Sequence, residues 1–139
     1  MSTQSVVYAS LCVIPPAFAA AQIADLVEKA RERNATLGVT GALIYSEKHF
    51  AQALEGDAAA LVELMQSIRR DPRHKDVIIL EDAPIPRRRF EGWSLGYSGP
   101  SIFVDKIIER AIYEAHRASD RGFIELMRLM AEFAAVDAG

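Results

Sequence analysis

The stretch 39–55 constrains the fold most, because it predicts two adjacent strands joined by a short polar turn. Residues 39–45 are rich in apolar and β-branched types, residues 46–48 interrupt them, and residues 49–55 continue as a second strand. Side chains alternate along a strand, so Phe50, Gln52 and Leu54 share one face. A primary amide between two large apolar side chains needs hydrogen-bond partners. Two interpretations are open: an edge position where Gln52 meets water, or a ligand with amide-like edges over this face.

The chain before this hairpin predicts a strand and a helix. Residues 6–13 are apolar nearly throughout, as in a central strand covered on both faces. Residues Ile23 and Ala30 bound an apolar stripe with helical spacing, and we expect Asn34 to end this helix. Taken alone, an asparagine at that point is at least as typical of a left-handed helix cap as of a binding residue.

The chain after the hairpin predicts a second helix and two further strands. Asp57 is a good N-cap for the helix, and Pro72 ends it because the residue before a proline avoids helical geometry. Strands follow at 77–80 and 90–97. The order strand, helix, strand, strand, helix, strand, strand predicts an α+β fold of the ferredoxin-like βαββαββ plan with one extra strand. Right-handed crossovers place both helices on one face of the sheet.

The C-terminal stretch predicts helices that cover the other sheet face. Its two apolar stripes, separated by the cap Ser119-Asp120, comprise Val104, Ile107, Ile108, Ala111, Ile112 and Ala115, then Phe123, Ile124, Met127, Met130 and Phe133. Leu126 and Leu129 widen the second stripe beyond what one packed face needs, and together with Phe133 they are the residues that we expect to be surplus to the core. Surplus apolar surface usually marks an interface, so the sequence predicts a homo-oligomer, most simply a two-fold dimer.

Composition limits the class of protein. A chain of 139 residues, half of them hydrophobic, predicts one core. The net charge of −3 gives no general reason to bind nucleic acid. A single cysteine, Cys12, allows no internal disulfide and favours a reducing compartment. No apolar run reaches the roughly 20 residues of a membrane span, and residues 6–21 lack the basic start of a signal peptide. We therefore expect a cytoplasmic protein that does not bind membranes.

Common catalytic and metal-binding patterns do not emerge from the sequence. The three histidines, His49, His74 and His116, lack zinc-ligand spacing, and Cys12 has no sequence partner that would make it a nucleophile. The arginines at 87–89 are compatible with a phosphate site or a solvated loop, and residues 71–74 with a solvated turn. The remaining hydrogen-bonding residues around one sheet face are Tyr8, Asn34 and Gln52, with Trp93 on a later strand.

These residues lie in segments that together resemble the BLUF family, the blue-light sensors that use FAD. The resemblance covers roughly residues 5–98, which predicts a flavin-binding domain at 1–98 and a C-terminal helical extension at 99–139. The matching segments are Val7-Tyr8-Ala9-Ser10, Arg33-Asn34, Leu37-Gly38-Val39-Thr40-Gly41-Ala42-Leu43, Gln52-Ala53-Leu54-Glu55-Gly56, Asp71-Pro72-Arg73-His74, Pro84-Ile85, Arg89-Phe90 and Trp93-Ser94.

The resemblance implies that FAD lies between the two helices with its ring toward the sheet. Asn34 would bond the pyrimidine end of the flavin, and Gln52 would bridge Tyr8 to the ring. Further cofactor contacts are implied for Ser10, Arg33, Asp71, Arg73 and His74, although relatives often carry Asn or His at the position of Arg33.

The resemblance also implies a switch rather than an enzyme. Light would move an electron and a proton from Tyr8 toward the flavin through Gln52, and their return would leave the amide in a new hydrogen-bonded state. Output would run through Trp93 and Leu95 to a separate effector protein. Leu95 stands where the family usually has Met and lacks its sulfur, so output there would rely on packing. Two alternatives are a flavin-free ferredoxin-like interaction module and a small enzyme on the same fold.

Overall fold

The computed structural model describes residues 3–138, and the side chains of residues 3–134. Strands and helices follow one another in the predicted order, with a short 3-10 turn before the first helix. Their bounds are β1 (Thr3–Cys12), the turn (Pro16–Phe18), α1 (Ala19–Leu37), β2 (Thr40–Tyr45), β3 (His49–Gly56), α2 (Ala58–Arg70), β4 (His74–Ile85), β5 (Trp93–Ser98), α3 (Ile102–Glu114) and α4 (Arg121–Ala138). No helix within residues 3–138 has the length and apolar character that a membrane span requires.

The strands form one five-stranded sheet in the order β4-β1-β3-β2-β5. The first four strands pair antiparallel, and β5 joins the edge parallel to β2. This is the ferredoxin-like arrangement with one added strand, so the predicted fold class is confirmed. It places β1 and β3 side by side near the middle of the sheet.

The two sheet faces have different covers, as the alternation of side chains predicts. One face carries Tyr8, Leu43 and Phe50 and packs against α1 and α2. We call this the cleft face. The opposite face, the far face, carries Val7, Ala9, Ala42, Ile44, Ala51 and Ala53 and packs against α3 and α4. Most apolar side chains of β1, β2 and β3 are therefore packed in one cluster on the far face or in one of two clusters on the cleft face.

Helix α1 extends beyond the predicted end at Asn34. It ends at Leu37, and Gly38 caps it in the left-handed conformation with φ 67°. A residue without Cβ adopts that conformation at little cost, which is why the glycine and not the asparagine is the cap. Asn34 lies inside the helix and is fully buried. Its interpretation as a helix cap was wrong.

Strand β4 is longer than the predicted 77–80, since it runs from His74 to Ile85. Its second half escaped the apolar pattern because the side chains there are polar. They pair with β1 by hydrogen bonds instead: Gln4 donates to Asp82 at 2.8 Å, and Ser5 donates to Glu81 at 2.6 Å. Polar side chains thus join the second half of β4 to the start of β1, and a search for apolar patterns does not detect such a strand.

The arginine segment at 87–89 binds its own chain. Nη1 of Arg88 donates to Thr40 Oγ1 at 2.9 Å, and Nη1 of Arg89 donates to Glu81 Oε1 at 2.7 Å. Burial alone would raise the pKa of Glu81, but hydrogen bonds from Arg89 and Ser5 outweigh it and hold that pKa below its usual value. These two arginines fasten the loop before β5, which gives no support to a phosphate site there.

The wide apolar stripe of α4 serves the chain's own core. Leu126 and Leu129 are buried, and the ring of Phe133 stacks on Tyr97 of β5 with 5.3 Å between centroids. Helix α4 packs against α3 and β5 together, so it needs a wider apolar surface than one contact would require. Taking Leu126, Leu129 and Phe133 as surplus interface residues was wrong. Among the side chains of α3 and α4 up to residue 134, the large apolar ones that face solvent are Ile102, Phe103, Tyr113 and Ile124.

Candidate functional site

A cleft opens between α1 and α2 on the cleft face of the sheet. It has a volume of about 170 Å³, and β1, β2 and β3 form its floor. The residues that line it are Tyr8, Leu26, Lys29, Ala30, Arg33, Leu43, Phe50, Gln52, Ser67, Ile68, Asp71, Arg73 and His74. A second hollow between the same helices shares Lys29, Arg33 and Ser67 with it and continues toward solvent. The structure thus brings together most of the residues that the sequence singled out.

The floor of the cleft is a chain of hydrogen bonds centred on Gln52. Tyr8 and Gln52 are directly opposite each other in the β1–β3 register. The Gln52 amide donates from Nε2 to the Tyr8 hydroxyl at 2.6 Å and accepts at Oε1 from the Trp93 indole N–H at 2.9 Å. Gln52 is 5% exposed and lies on an inner strand. The interpretation of Gln52 as a water-facing edge residue was wrong.

Trp93 determines which way the amide points. An indole nitrogen can only donate a hydrogen bond, so it requires the amide oxygen opposite it. The amide nitrogen must then face Tyr8, whose hydroxyl oxygen accepts. Turning the amide by half a rotation would set its N–H group against the indole N–H. The amide therefore has one favoured orientation, and leaving it breaks the bond to Trp93.

Tyr8 is a neutral phenol in this site. Burial raises the pKa of Tyr8 above its ordinary value, and the hydrogen bond from Gln52 only partly opposes that rise. A buried phenol at neutral pH thus keeps its proton. If such a group gives up an electron it must also release the proton to a neighbour, because a charged phenol radical has no compensating charge in an apolar core.

Asn34 and Arg33 present buried polar atoms that the described residues leave unpaired. Both polar atoms of the Asn34 side chain and Nε of Arg33 have no hydrogen-bond partner there. Arg33 lines the cleft. Asn34, the next residue of α1, is fully buried and is not among the residues that line the cleft. An unpaired buried amide costs about 1–3 kcal/mol, which a bound group can recover. The donors and the acceptor fit the amide-like edge of a flavin, and the apolar walls fit its faces.

The segment 71–74 closes one end of the cleft and is not a free solvated turn. Arg73 donates from Nε to Asp71 at 3.0 Å and from Nη1 to the carbonyl of Gln22 at 3.2 Å. The His74 ring donates from Nε2 to the Ile68 carbonyl at 2.6 Å, so in the neutral ring Nδ1 accepts from Ser10 at 2.7 Å. Ser10 stands behind His74 and not at the cleft wall.

Two buried polar groups were missed by the sequence analysis, and both lie on the far face. The Asp105 carboxylate of α3 accepts from Ser46 at 2.5 Å and lies 2.9 Å from Nδ1 of His49. Glu55, on the same strand as Gln52, is 2% exposed. The sequence did contain a sign of Glu55, because a charged residue there occupies an inward-facing position of the predicted strand. The pairing of His49 with a residue 56 positions away left no sign at all.

Comparison with known proteins identifies the family that this chain resembles. The family model for BLUF, "Sensors of blue-light using FAD", matches residues 4–96. The β subunit of a photoactivated adenylate cyclase from Euglena longa is 42% identical over 74 residues, 52% of this chain. The blue light- and temperature-regulated antirepressor BluF of Escherichia coli is 34% identical over 89 residues, 64% of this chain. This chain spans only 9% of the cyclase subunit and 21% of the antirepressor.

A solved structure resembles the whole fold. The dark-state structure of BlrB, a BLUF protein, superposes with a TM-score of 0.73 at 28% identity. The match covers 94% of this chain and 96% of BlrB, so it includes the C-terminal helices as well as the sheet.

Proposed function

Because this chain belongs to the BLUF family of blue-light sensors that use FAD, we propose that it signals blue light through the hydrogen bonds of Tyr8, Gln52 and Trp93. One observation carries this proposal: the Gln52 amide lies at the floor of the cleft, between a phenol and an indole, in a single orientation. No chemical turnover is part of the proposed function, which is a change of state.

We propose that one FAD binds per chain without a covalent bond. The residues that would hold it are Arg33 and Asn34, with their unpaired polar atoms, and the corner residues Asp71, Arg73 and His74, with Ser10 behind them. When bound, the flavin supplies the absorption of blue light and an acceptor for an electron. Cys12 does not line the cleft, and both ring nitrogens of His74 are engaged. These facts support non-covalent binding.

The proposed switch is a turn of the Gln52 amide. Tyr8 can pass its proton only to an acceptor, whereas the amide now presents Nε2–H to the phenol. A turn would bring Oε1 against the Tyr8 hydroxyl, where it could take the phenol proton as the electron leaves and give it back when the electron returns. The same turn would remove the acceptor of the Trp93 indole N–H. Trp93 is the first residue of β5, at the edge of the sheet. A change at the amide is thereby passed to an edge strand.

Output beyond Trp93 would run by packing. Leu95 is opposite Leu43 in the β2–β5 register and packs with Trp93 against the buried group around Tyr45 and Phe50. The Leu95 side chain has no polar atom and can act only through packing. We therefore propose that a change in the position of β5 transmits the signal. The division into a sensing part at 1–98 and a helical extension at 99–139 also stays a proposal, supported by the end of the family match at residue 96. We also propose that a separate effector protein receives the signal and that the protein is cytoplasmic.

Colour separates this function from its alternative. A purified chain that binds FAD is yellow and shows a reversible red shift of the flavin band after blue illumination. A colourless chain that takes up no added FAD would instead support a flavin-free interaction module.

We predict that Asn34→Ala weakens FAD binding by about 1–3 kcal/mol, which is roughly 5- to 150-fold in Kd. The change leaves polar atoms of the ligand without partners inside a buried site. Titration of apoprotein with FAD, followed by fluorescence quenching, measures it. Glu28→Ala on the exposed face of the same helix is the control. Equal affinity for Asn34→Ala and the control would remove Asn34 from the binding site.

We also propose that the chain forms a homo-oligomer, through residues other than the leucines first expected. Ile102 is 76% exposed and Phe103 is 65% exposed at the start of α3, an unusual position for large apolar side chains. We predict a dimer mass by light scattering at micromolar concentration, and a monomer mass for Phe103→Asp. A monomer mass for the unmodified chain would contradict the prediction.

A further inference from the structure

We propose that Glu55 is a positioning residue for the light switch: its carboxylate fixes the segment before β5 and so places Trp93 against Gln52. The inference rests on the proposed function for its role in light sensing, although the placement itself is independent of light. Glu55 belongs to the far face of β3, two residues beyond Ala53, and is not among the residues that line the cleft. Any effect it has on the switch must therefore pass through other residues.

The Glu55 carboxylate gathers three hydrogen bonds from two separate segments. Oε1 accepts from the Phe90 backbone N–H at 2.8 Å and from Thr40 Oγ1 at 2.8 Å. Oε2 accepts from the Arg89 backbone N–H at 3.0 Å. Bonds to a charged acceptor are stronger than neutral ones. The buried carboxylate thus ties the loop after β4 to the start of β2.

This tie acts on Trp93 because so little chain lies between them. The Gly92 carbonyl accepts from the Gly41 N–H at 2.9 Å, and Gly41 is the register partner of Trp93. Glu55 holds residues 89 and 90, and Gly41 holds the carbonyl of Gly92. Only Glu91 lies between these two fixed points. Trp93 begins an edge strand that pairs with β2 alone, and strand ends open unless something holds them. Glu55 holds the loop that leads into this end of β5.

The site requires a carboxylate and not merely a polar side chain. Every group facing Glu55 at its two oxygens is a donor in the observed arrangement: two backbone N–H groups and the Thr40 hydroxyl. Glutamine has the same shape but would turn an NH₂ group toward at least one of these donors. Glu55→Gln therefore removes at least one of the backbone hydrogen bonds that hold residues 89 and 90, without adding bulk.

The test uses the single tryptophan of the chain. In the flavin-loaded, ¹⁵N-labelled full chain kept dark, the indole N–H of Trp93 is one NMR peak. We expect Gln52→Leu to move this peak by removing its acceptor, and Glu55→Gln to move it in the same direction although Gln52 is intact. Asp105→Asn is the matched control, because it neutralises another buried carboxylate of the far face that is bonded to Ser46 and His49. We expect its indole peak to stay in place.

An unmoved indole peak in folded Glu55→Gln, with a moved peak in Gln52→Leu, would overturn the proposal. Should Glu55→Gln fail to fold, hydrogen exchange in the unmodified chain decides: the Phe90 amide and the Trp93 indole should open together, with equal protection. A Phe90 amide that exchanges much faster than the indole would equally overturn it.

The light response is measured on the same samples. We expect Glu55→Gln to change the dark-recovery rate of the red shift more than Asp105→Asn does. An unmodified chain that shows no red shift would overturn the proposed function, whereas the indole measurements would still decide the positioning role.

Discussion

Gln52→Leu abolishes the light-induced red shift of the flavin band while the protein still binds FAD. This is the expected result, because the substitution keeps approximate size and removes every polar atom of the amide. Tyr8 loses its donor and the Trp93 indole loses its acceptor, and both of these hydrogen bonds are present in the structure. The proposed binding residues Arg33 and Asn34 are untouched. A difference spectrum before and after blue illumination measures the loss.

The matched control for this result is Gln66→Leu, the same chemical change on the exposed side of α2. It should show the full red shift with the same recovery as the unmodified chain. A normal red shift in Gln52→Leu would show that the amide is not the switch, and the proposed mechanism would have to be dropped. Loss of bound FAD in Gln52→Leu would instead assign the amide a main role in binding.

Tyr8→Phe is expected to remove the red-shifted state as completely. The ring keeps its place in the core, but the phenol that would give up an electron with its proton is gone. The pKa of Tyr8 is raised by burial, so the unmodified side chain enters the reaction protonated. The variant also leaves the Gln52 N–H without its acceptor, which costs about 1–3 kcal/mol of stability.

Transient absorption distinguishes the loss of the donor from a loss of folding. In Tyr8→Phe, the excited state of the bound flavin should live longer than in the unmodified chain, since its nearby electron donor is absent. Tyr113→Phe makes the same change at an exposed residue and should leave both the lifetime and the red shift unchanged. A red-shifted state of normal yield in Tyr8→Phe would contradict the role of the phenol.

The sequence predicted the part of the site that depends on strand alternation. Tyr8 and Gln52 are on the same face because each occupies the matching phase of its strand, and β1 pairs with β3 in the ferredoxin-like order. Trp93 was placed on the right strand, yet its bond to Gln52 could not be foreseen. That bond depends on the register of β5 against β2, which shifts between Leu43 and Ile44 and has no local sequence sign.

Errors arose where a local pattern had two tertiary explanations. Asn34 resembled a helix end because an asparagine often caps one, but three more residues continue α1 before Gly38 turns the chain. Leu126 and Leu129 resembled an interface because a sequence shows how wide an apolar stripe is and not how many neighbours share it. Helix α4 packs against both α3 and β5, and these two contacts together use the full width of the stripe.

The far face of the sheet is lined by small side chains in its middle, with Ala9, Ala42, Ala51 and Ala53 fully or almost fully buried under α3 and α4. Val7 and Ile44 flank these small side chains on the same face, so α3 and α4 come close to the middle of the sheet and are held there by van der Waals contact. The C-terminal helices rest on the sheet face opposite to Tyr8 and Gln52. A change in the sequence of these helices therefore need not alter the strand positions that line the cleft.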